Sequence, residues 1–243
     1  MFLKYIDEEI WLKLAIVLTL CSLVVSWYAL ETVMPRFTIL DNVPNVRAQE
    51  IKYLGDKNMV FRANSVNLQN AGDTFGRVTG LREYDYALVY NWLKFLESED
   101  ARSQFTPALA GYYFGVTDQL DDLPYIMNFL EENYYTDPER KWWWLYMSIH
   151  IAKNKLNDLD KALDLANVLS ANPNPRIPKW ARQMPAFILQ QKGELEEALA
   201  IIKDIADNYD DFSQYEIDFM NYFIQNRLGF VKEEIRKRSL QGR

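Results

Sequence analysis

An all-α fold is what this sequence predicts: a single apolar N-terminal helix followed by helical hairpins stacked side by side. Three observations carry that expectation. The run "LAIVLTLCSLVVSWYAL", Leu14 to Leu30, holds no charge. Beyond residue 46 the apolar residues recur at helical spacing almost throughout. A similar short stretch returns with Ala87, Tyr125, Ala162 and Ala198 in its small-residue position, at intervals of 38, 37 and 36 residues. Glycine and proline number nine each, which suits neither a disordered chain nor a many-turned β fold.

Charge and cysteine content narrow the function classes. Net charge is −7 and the isoelectric point is near 4.9. Binding nucleic acid through its phosphates requires a basic face, so no nucleic-acid partner is expected. The single cysteine, Cys21, excludes an internal disulfide framework and cysteine-based zinc sites. A chain of 243 residues suffices for one sizeable core or a short repeat array.

At the N-terminus, adding Trp11, Leu12 and the "ETVM" after Leu30 brings the helix to a spanning length of roughly 20 residues. Lipid contact is expected through residues 12–33. Lys13 can snorkel to one interface beside Trp11, and Trp27 with Tyr28 suits the other as an aromatic belt. Two rivals exist. One is a buried core helix. The other is a signal peptide cut after Ser26 with Val24 at −3, which would leave Trp27 beside the cut. An uncleaved single-pass anchor is the favoured reading. Lys4 and Lys13 before the span balance Arg36 and Arg47 after it, so the positive-inside rule ties. A short leading tail is easily retained in the cytoplasm. The expected placement is therefore a bacterial inner membrane with the C-terminal part in the periplasm.

The domain organisation follows. Residues 1–34 form a tail and anchor. Residues 35–46, "PRFTILDNVPNV", carry two prolines and no helical period, and read as a linker. Residues 47–243 form a helical domain. In it, Leu159, Ala162, Leu163, Ala166 and Leu169 make one apolar stripe, with Asp160, Lys161, Asp164 and Asn167 on the wet side. Pro124 is placed to open a helix. "NPNPRIP" forces an extended connection, because each proline fixes φ and disfavours helix before it. Pro178 suits the first turn of the next helix. Pro185 removes the bond to the Ala181 carbonyl and should kink that helix. The charged, amphipathic "FVKEEIRKRSLQGR" reads as a capping helix for the C-terminal end.

"KGELEEALAIIKDIADNYDD" resembles the second half of a tetratricopeptide repeat. Gly193 and Glu194 match its turn, Leu195 the bulky residue after it, and Ala198 the small residue that lets two helices approach. "KLNDLDKALDLANVLSANP" matches nearly as well through Asn157, Asp158, Leu159, Ala162, Ala166 and Pro173. The first two units are degenerate, with Tyr125 in place of the small alanine. The likeness covers roughly residues 70–210. It implies a stack of two-helix units, each completing its neighbour's core, and a role in binding protein partners.

"KWWWLY" needs separate treatment. Three adjacent residues span ~200° of a helix, more than a helix lying on one core hides. A helix packed between two neighbours can bury that arc. Trp142, Leu145, Tyr146, Ile149 and Ala152 are expected to face their hairpin partner, with Trp144, Ser148 and Ile151 against a neighbouring unit. Trp143 lines up with Met147, His150 and Asn154 on a half-polar stripe. It is either a filler between units or an aromatic anchor for a partner.

Signals for chemistry are weak. His150 is the only histidine, and no nucleophile elbow of the G-x-S-x-G kind accompanies it. It is expected to be a half-buried polar residue. "GDTFGRVTG" spaces Gly72, Gly76 and Gly80 four apart but lacks the Gly-Lys-Ser/Thr ending of a phosphate loop. A bent connection or close helix approach is expected there. "TDQLDDLP" gathers Asp118, Asp121 and Asp122 without the turn glycine and distal glutamate of a calcium loop, and reads as a turn with helix-capping carboxylates. No catalytic, cofactor-binding or metal-binding residue is assigned, and no enzyme activity or cofactor is expected.

The resemblance and the anchor together imply a membrane-anchored scaffold or assembly factor. A short repeat array would bind partner proteins of a membrane complex against Tyr112, Tyr113, Trp143 and Tyr146. The alternative is an accessory structural subunit of a membrane enzyme or transporter acting on envelope polymers.

Overall fold

The computed structural model describes residues 8–31, 38–73, 76, 78–208 and 214–229, and every regular element among them is helical. Helix α1 (Glu8–Glu31) contains one apolar window, Ile10–Ala29, of 20 residues with mean hydropathy 2.0 and no buried residue. At ~1.5 Å rise per residue that window is ~30 Å long, the thickness of a hydrocarbon core. Thr19 returns its hydroxyl to the Ala15 carbonyl at 2.8 Å, so the side chain's donor is satisfied within the helix. Trp11, Trp27 and Tyr28 stand exposed near the two ends of the window. The expected lipid contact at residues 32 and 33, and the "FVKEEIRKRSLQGR" cap, lie outside the described residues.

The chain divides into two compact units, Met1–Thr38 and Ile39–Arg243. The second unit opens with residues 39–45, which form no helix but carry part of the core. Leu40 is buried, and the Asp41 carbonyl accepts from Trp92 Nε1 at 2.8 Å. The second half of the stretch read as a linker is therefore packed against the helical body. Pro44 disfavours helix before it, and irregular chain can still place a side chain such as Leu40 inward.

Acidic and amide side chains open the following helices. Asn45 caps α2 (Val46–Lys52), Asp56 caps α3 (Lys57–Gln69), and Asp85 caps α4 (Tyr86–Glu99). Each accepts a backbone N–H of the first turn that has no partner within the helix. Between α3 and α4 the described residues of the glycine-spaced stretch form no helix before Leu81, and Gly72 and Gly76 both have positive φ. Gly72 has φ +83°, and Thr79 Oγ1 donates to its carbonyl at 2.9 Å. A Cβ at Gly72 would meet the Tyr84 hydroxyl and Thr79, so glycine is required there for space as well as for φ. Tyr84 in turn donates its hydroxyl to the Ala71 carbonyl.

Next come α5 (Phe105–Ala108), continued by a wide turn through Tyr113, and then α6 (Leu123–Thr136). Pro124 sits in the first turn of α6 as expected. Asp122 precedes that helix but its side chain makes no capping hydrogen bond, unlike the role expected of the aspartates there. Helix α7 (Trp142–Ile151) runs on through a wide turn to Leu156, and α8 (Leu159–Ser170) follows after two residues. Asn157 takes the left-handed conformation at φ +52°, ending one helix, and Asp158 caps the next by accepting from Lys161 N at 2.9 Å. Asparagine tolerates that conformation better than most residues. Gly193, at φ +86°, makes the same kind of turn between α10 (Met184–Lys192) and α11 (Leu195–Asn208).

The break expected at Pro185 is present. Helix α9 (Lys179–Arg182) stops at Gln183, and α10 begins immediately with Pro185 in its first turn. The preceding "NPNPRIP" connection is stapled by amides. Asn172 Nδ2 donates to the Tyr134 hydroxyl at 3.0 Å, and Asn174 Nδ2 to the Glu139 carbonyl at 2.6 Å. Arg182 is buried and donates to the Ser170 and Asn174 carbonyls at 3.0 and 2.7 Å, a cation placed at the C-terminal end of α8. Helix α12 (Gln214–Tyr222) follows.

Packing runs in chain order: α6 on α7, α7 on α8, α8 on α10, α10 on α11. Ala162 and Ala198, the small residues of the repeated stretch, are fully buried, and so are Ala152 and Ala166. On α8 the buried stripe also includes Leu165, while Leu163 is only half-buried. The reason is that α8 has partners on two sides, so its apolar arc is wider than a single stripe. Lys161, placed on the wet side by pattern, is half-buried and pairs with Glu131 at 2.9 Å. Ala162→Leu adds three heavy atoms to the α7–α8 contact and is expected to destabilise by ~1–3 kcal/mol. Thermal melting of the full chain in detergent measures this. An unchanged melting temperature would contradict the close approach of those helices at Ala162.

Candidate functional site

The tryptophan run does not divide as its spacing suggests. Trp144, Leu145, Ser148, Ile149, Ile151 and Ala152 are buried, whereas Trp142, Trp143 and Tyr146 are half-buried. Helix α7 presents its Leu145/Ser148/Ile149 side to its neighbours. Ser148 is small enough to meet α6, donating to the Met127 carbonyl at 3.3 Å. Trp144 is fixed by Gln104, whose Oε1 accepts its indole N–H at 2.6 Å, and by the edge of the Tyr112 ring. Trp142 and Tyr146, expected to face the hairpin partner, instead meet Trp180 of α9, with ring centres 6.2 and 5.0 Å apart.

The result is a continuous aromatic ribbon. Trp143 Nε1 donates to the Tyr112 hydroxyl at 2.6 Å. The Trp143 ring stands 5.1 Å from Tyr146 and 5.6 Å from Trp142. Edge-on and tilted pairs at these separations are the favoured geometries of aromatic rings. Tyr112 is 53% exposed and Trp180 37%, so large ring surface remains open to solvent. Three of the four residues singled out from sequence, Tyr112, Trp143 and Tyr146, are thus brought together. Tyr113 has no ring contact with Trp143 or Tyr146: its ring packs on Phe114 at 5.0 Å, and with Tyr112, Phe105 and Asp73 it lines a second hollow of about 350 Å³.

Beyond Tyr146 the ribbon opens into a hollow of about 610 Å³ between α7, α10 and α12. Helix α7 and its continuation supply Tyr146, His150, Lys153 and Asn154; α10 supplies Phe187, Gln190 and Gln191; α12 supplies Phe219 and Tyr222. Phe187 joins the far wall through Phe219 and Phe223, at 5.8 and 5.0 Å. His150 lies exposed on this wall rather than half-buried. Partial desolvation and the charges of Lys153 and Lys155 hold its imidazole below the usual histidine value, so it is neutral at pH 7 and can both donate and accept. Among the described residues the lining includes a lysine and no carboxylate, in a chain of net charge −7. The lining thus mixes aromatic rings with amide and imidazole groups. No group of three or more His, Cys, Asp or Glu side chains suited to a metal ion occurs among the described residues.

Sequence reasoning missed Trp180, Phe187, Phe219 and Tyr222. Their shared signal is position: they fall on α9, α10 and α12, which alternate in the chain with the helices carrying the alanine stretch. Compared with protein-family models, curated proteins and solved structures, the chain matches none of them.

Proposed function

We propose that this chain is a membrane-anchored interaction protein, a scaffold or assembly factor whose α4–α11 helices form a short tetratricopeptide-like array. Helix α1 is its single-pass anchor, and the helical unit stands on the periplasmic side of a bacterial inner membrane. Its partner is an extended polypeptide segment belonging to a membrane complex. Apolar side chains of that segment lie on Trp143, Tyr146 and Phe187, and its backbone amides meet Asn154, Gln190 and Gln191. The observation that supports this most is the open aromatic ribbon running into a hollow that no carboxylate lines among the described residues. Aromatic anchors in partly desolvated pockets, ringed by polar groups, are the usual energetic centres of protein interfaces. Adjacent carboxamides suit an extended chain, which offers a donor and an acceptor at every residue.

The competing reading is an accessory subunit that joins a membrane enzyme or transporter through α1 itself. Co-purification in mild detergent separates the two. Under the scaffold reading, partners are lost from Trp143→Ala/Tyr146→Ala and retained when α1 is replaced by an unrelated spanning helix. The reverse pattern would favour the subunit reading and overturn the scaffold.

A further inference from the structure

A ring of the aromatic ribbon lines each of two hollows. Tyr146 lines the larger, of about 610 Å³, and Tyr112 the smaller, of about 350 Å³. Trp143 joins the two tyrosines: its indole nitrogen is 2.6 Å from the Tyr112 hydroxyl and its ring 5.1 Å from that of Tyr146. Ribbon and hollows thus form one groove within the helical unit Ile39–Arg243. The two ends of that groove differ in charge. Among the described residues the larger hollow is lined by Lys153 and no carboxylate, the smaller by Asp73 and no cation. Lys153 is half-buried, and its ammonium meets the Asn154 carboxamide at 3.3 Å. Asp73 is exposed beside the amides of Gln69 and Asn70. The local fields have the same signs. Burial and the charges of Lys153 and Lys155 hold the His150 imidazole below its usual value. Burial, Tyr113 and the charge of Asp73 push the Tyr84 hydroxyl above its own.

We propose that this groove selects a polypeptide segment of mixed charge, with an acidic side chain at Lys153, apolar side chains along Tyr146, Trp143 and Tyr112, and a basic side chain at Asp73. Apolar contact with the rings supplies the affinity. Opposite charges at the two ends fix register and direction, which is where rim charges act most strongly. A segment of uniform charge meets repulsion at one end whichever way it lies. The inference rests on the reading of the ribbon as a polypeptide-binding groove and adds the chemistry of the segment it takes.

The test pans a displayed library of random twelve-residue peptides on the full chain in nanodiscs, discarding those that also bind Trp143→Ala/Tyr146→Ala. Twelve extended residues reach ~40 Å, longer than three adjoining rings. The native chain should enrich peptides with an acidic residue toward one end, a basic residue toward the other and apolar residues between. Fluorescence anisotropy then reads the binding of one such synthetic peptide. Lys153→Glu and Asp73→Lys change side chains that are not fully buried, so each should keep the melting temperature. Each should weaken binding about fivefold, the size of one exposed ion pair turned repulsive. A peptide with its end charges exchanged should bind Lys153→Glu/Asp73→Lys as the original binds the native chain, a recovery that a merely structural effect would not give. Ring-dependent peptides of uniform charge or of no charge preference, or ones indifferent to both reversals, would overturn this inference and leave the polypeptide groove standing. If no peptide depends on the rings, the groove reading falls and this inference with it.

Discussion

Lys141→Met should lower stability by about 3–5 kcal/mol at neutral pH, the largest loss expected from any single substitution outside the core. The Lys141 ammonium is almost wholly buried, 2.6 Å from Glu97 Oε1 of α4 and 3.0 Å from Thr136 Oγ1 at the end of α6. It ties the end of α6 and the start of α7 to α4, 44 residues earlier in the chain. Methionine keeps the length of the side chain and removes its charge, leaving a carboxylate in the interior without the ammonium that touches it. The pH dependence identifies the cause. Burial raises the Glu97 carboxyl above the ordinary value of 4.5, and Lys141 draws it back down. A raised acid adds stability in full below its unfolded value and loses it as pH rises through its folded value. Without Lys141 the folded value climbs further, so the loss deepens. The gap between native chain and variant is therefore widest at pH 7 and narrows as pH falls toward 4.5. Adding Glu97→Gln to Lys141→Met should recover much of the difference, because the uncompensated charge is gone. Chemical denaturation across that pH range measures both effects. A gap independent of pH would show that packing, not charge, holds this point.

Trp144→Ala should cost about 3–5 kcal/mol, and its neighbour Trp143→Ala about half of that or less. The two indoles are adjacent in sequence and differ in what surrounds them. Trp144 is 5% exposed, donates to Gln104, and would leave a cavity between α7 and the turn after α5. Trp143 is half-buried on the ribbon, with Tyr112, Trp142, Tyr146 and Trp180 as its ring neighbours. Those neighbours can close over part of the gap, and water can fill the rest. Melting of both variants in detergent provides the comparison. A loss at Trp143 equal to that at Trp144 would make Trp143 a structural filler and remove it from the proposed binding surface.

The legible parts of this molecule were those governed by local rules. The uncharged run announced α1, because length and apolarity along one helix are local properties of the sequence. Asp158 sits at a helix start where the repeat pattern placed a turn, and Pro185 breaks its helix because a missing N–H acts locally. The small residues Ala162 and Ala198 were found through spacing, and both are fully buried. What spacing could not decide was which arc of α7 faces inward. Three indoles in succession give the helix no apolar side to distinguish, and the choice was made by α6 and α9, which lie elsewhere in the chain. Trp180 was invisible for the same reason: its role comes from α7 across the groove. Leu40 was hidden by two prolines that signal irregular backbone but say nothing of burial. The ion pair of Lys141 with Glu97 joins residues 44 apart in sequence, and no local pattern marks it.

Photo-cross-linking from the hollow tests the central claim most directly. A benzoylphenylalanine is placed at His150 or Tyr222, both exposed on the wall of the hollow, and at Glu196, exposed on α11, as a control. The full-length chain is irradiated in native membranes. The account predicts the same protein adduct from positions 150 and 222, absent from 196 and lost when Trp143→Ala/Tyr146→Ala is added. No adduct at 150 and 222, or one that forms equally well from 196, would contradict it.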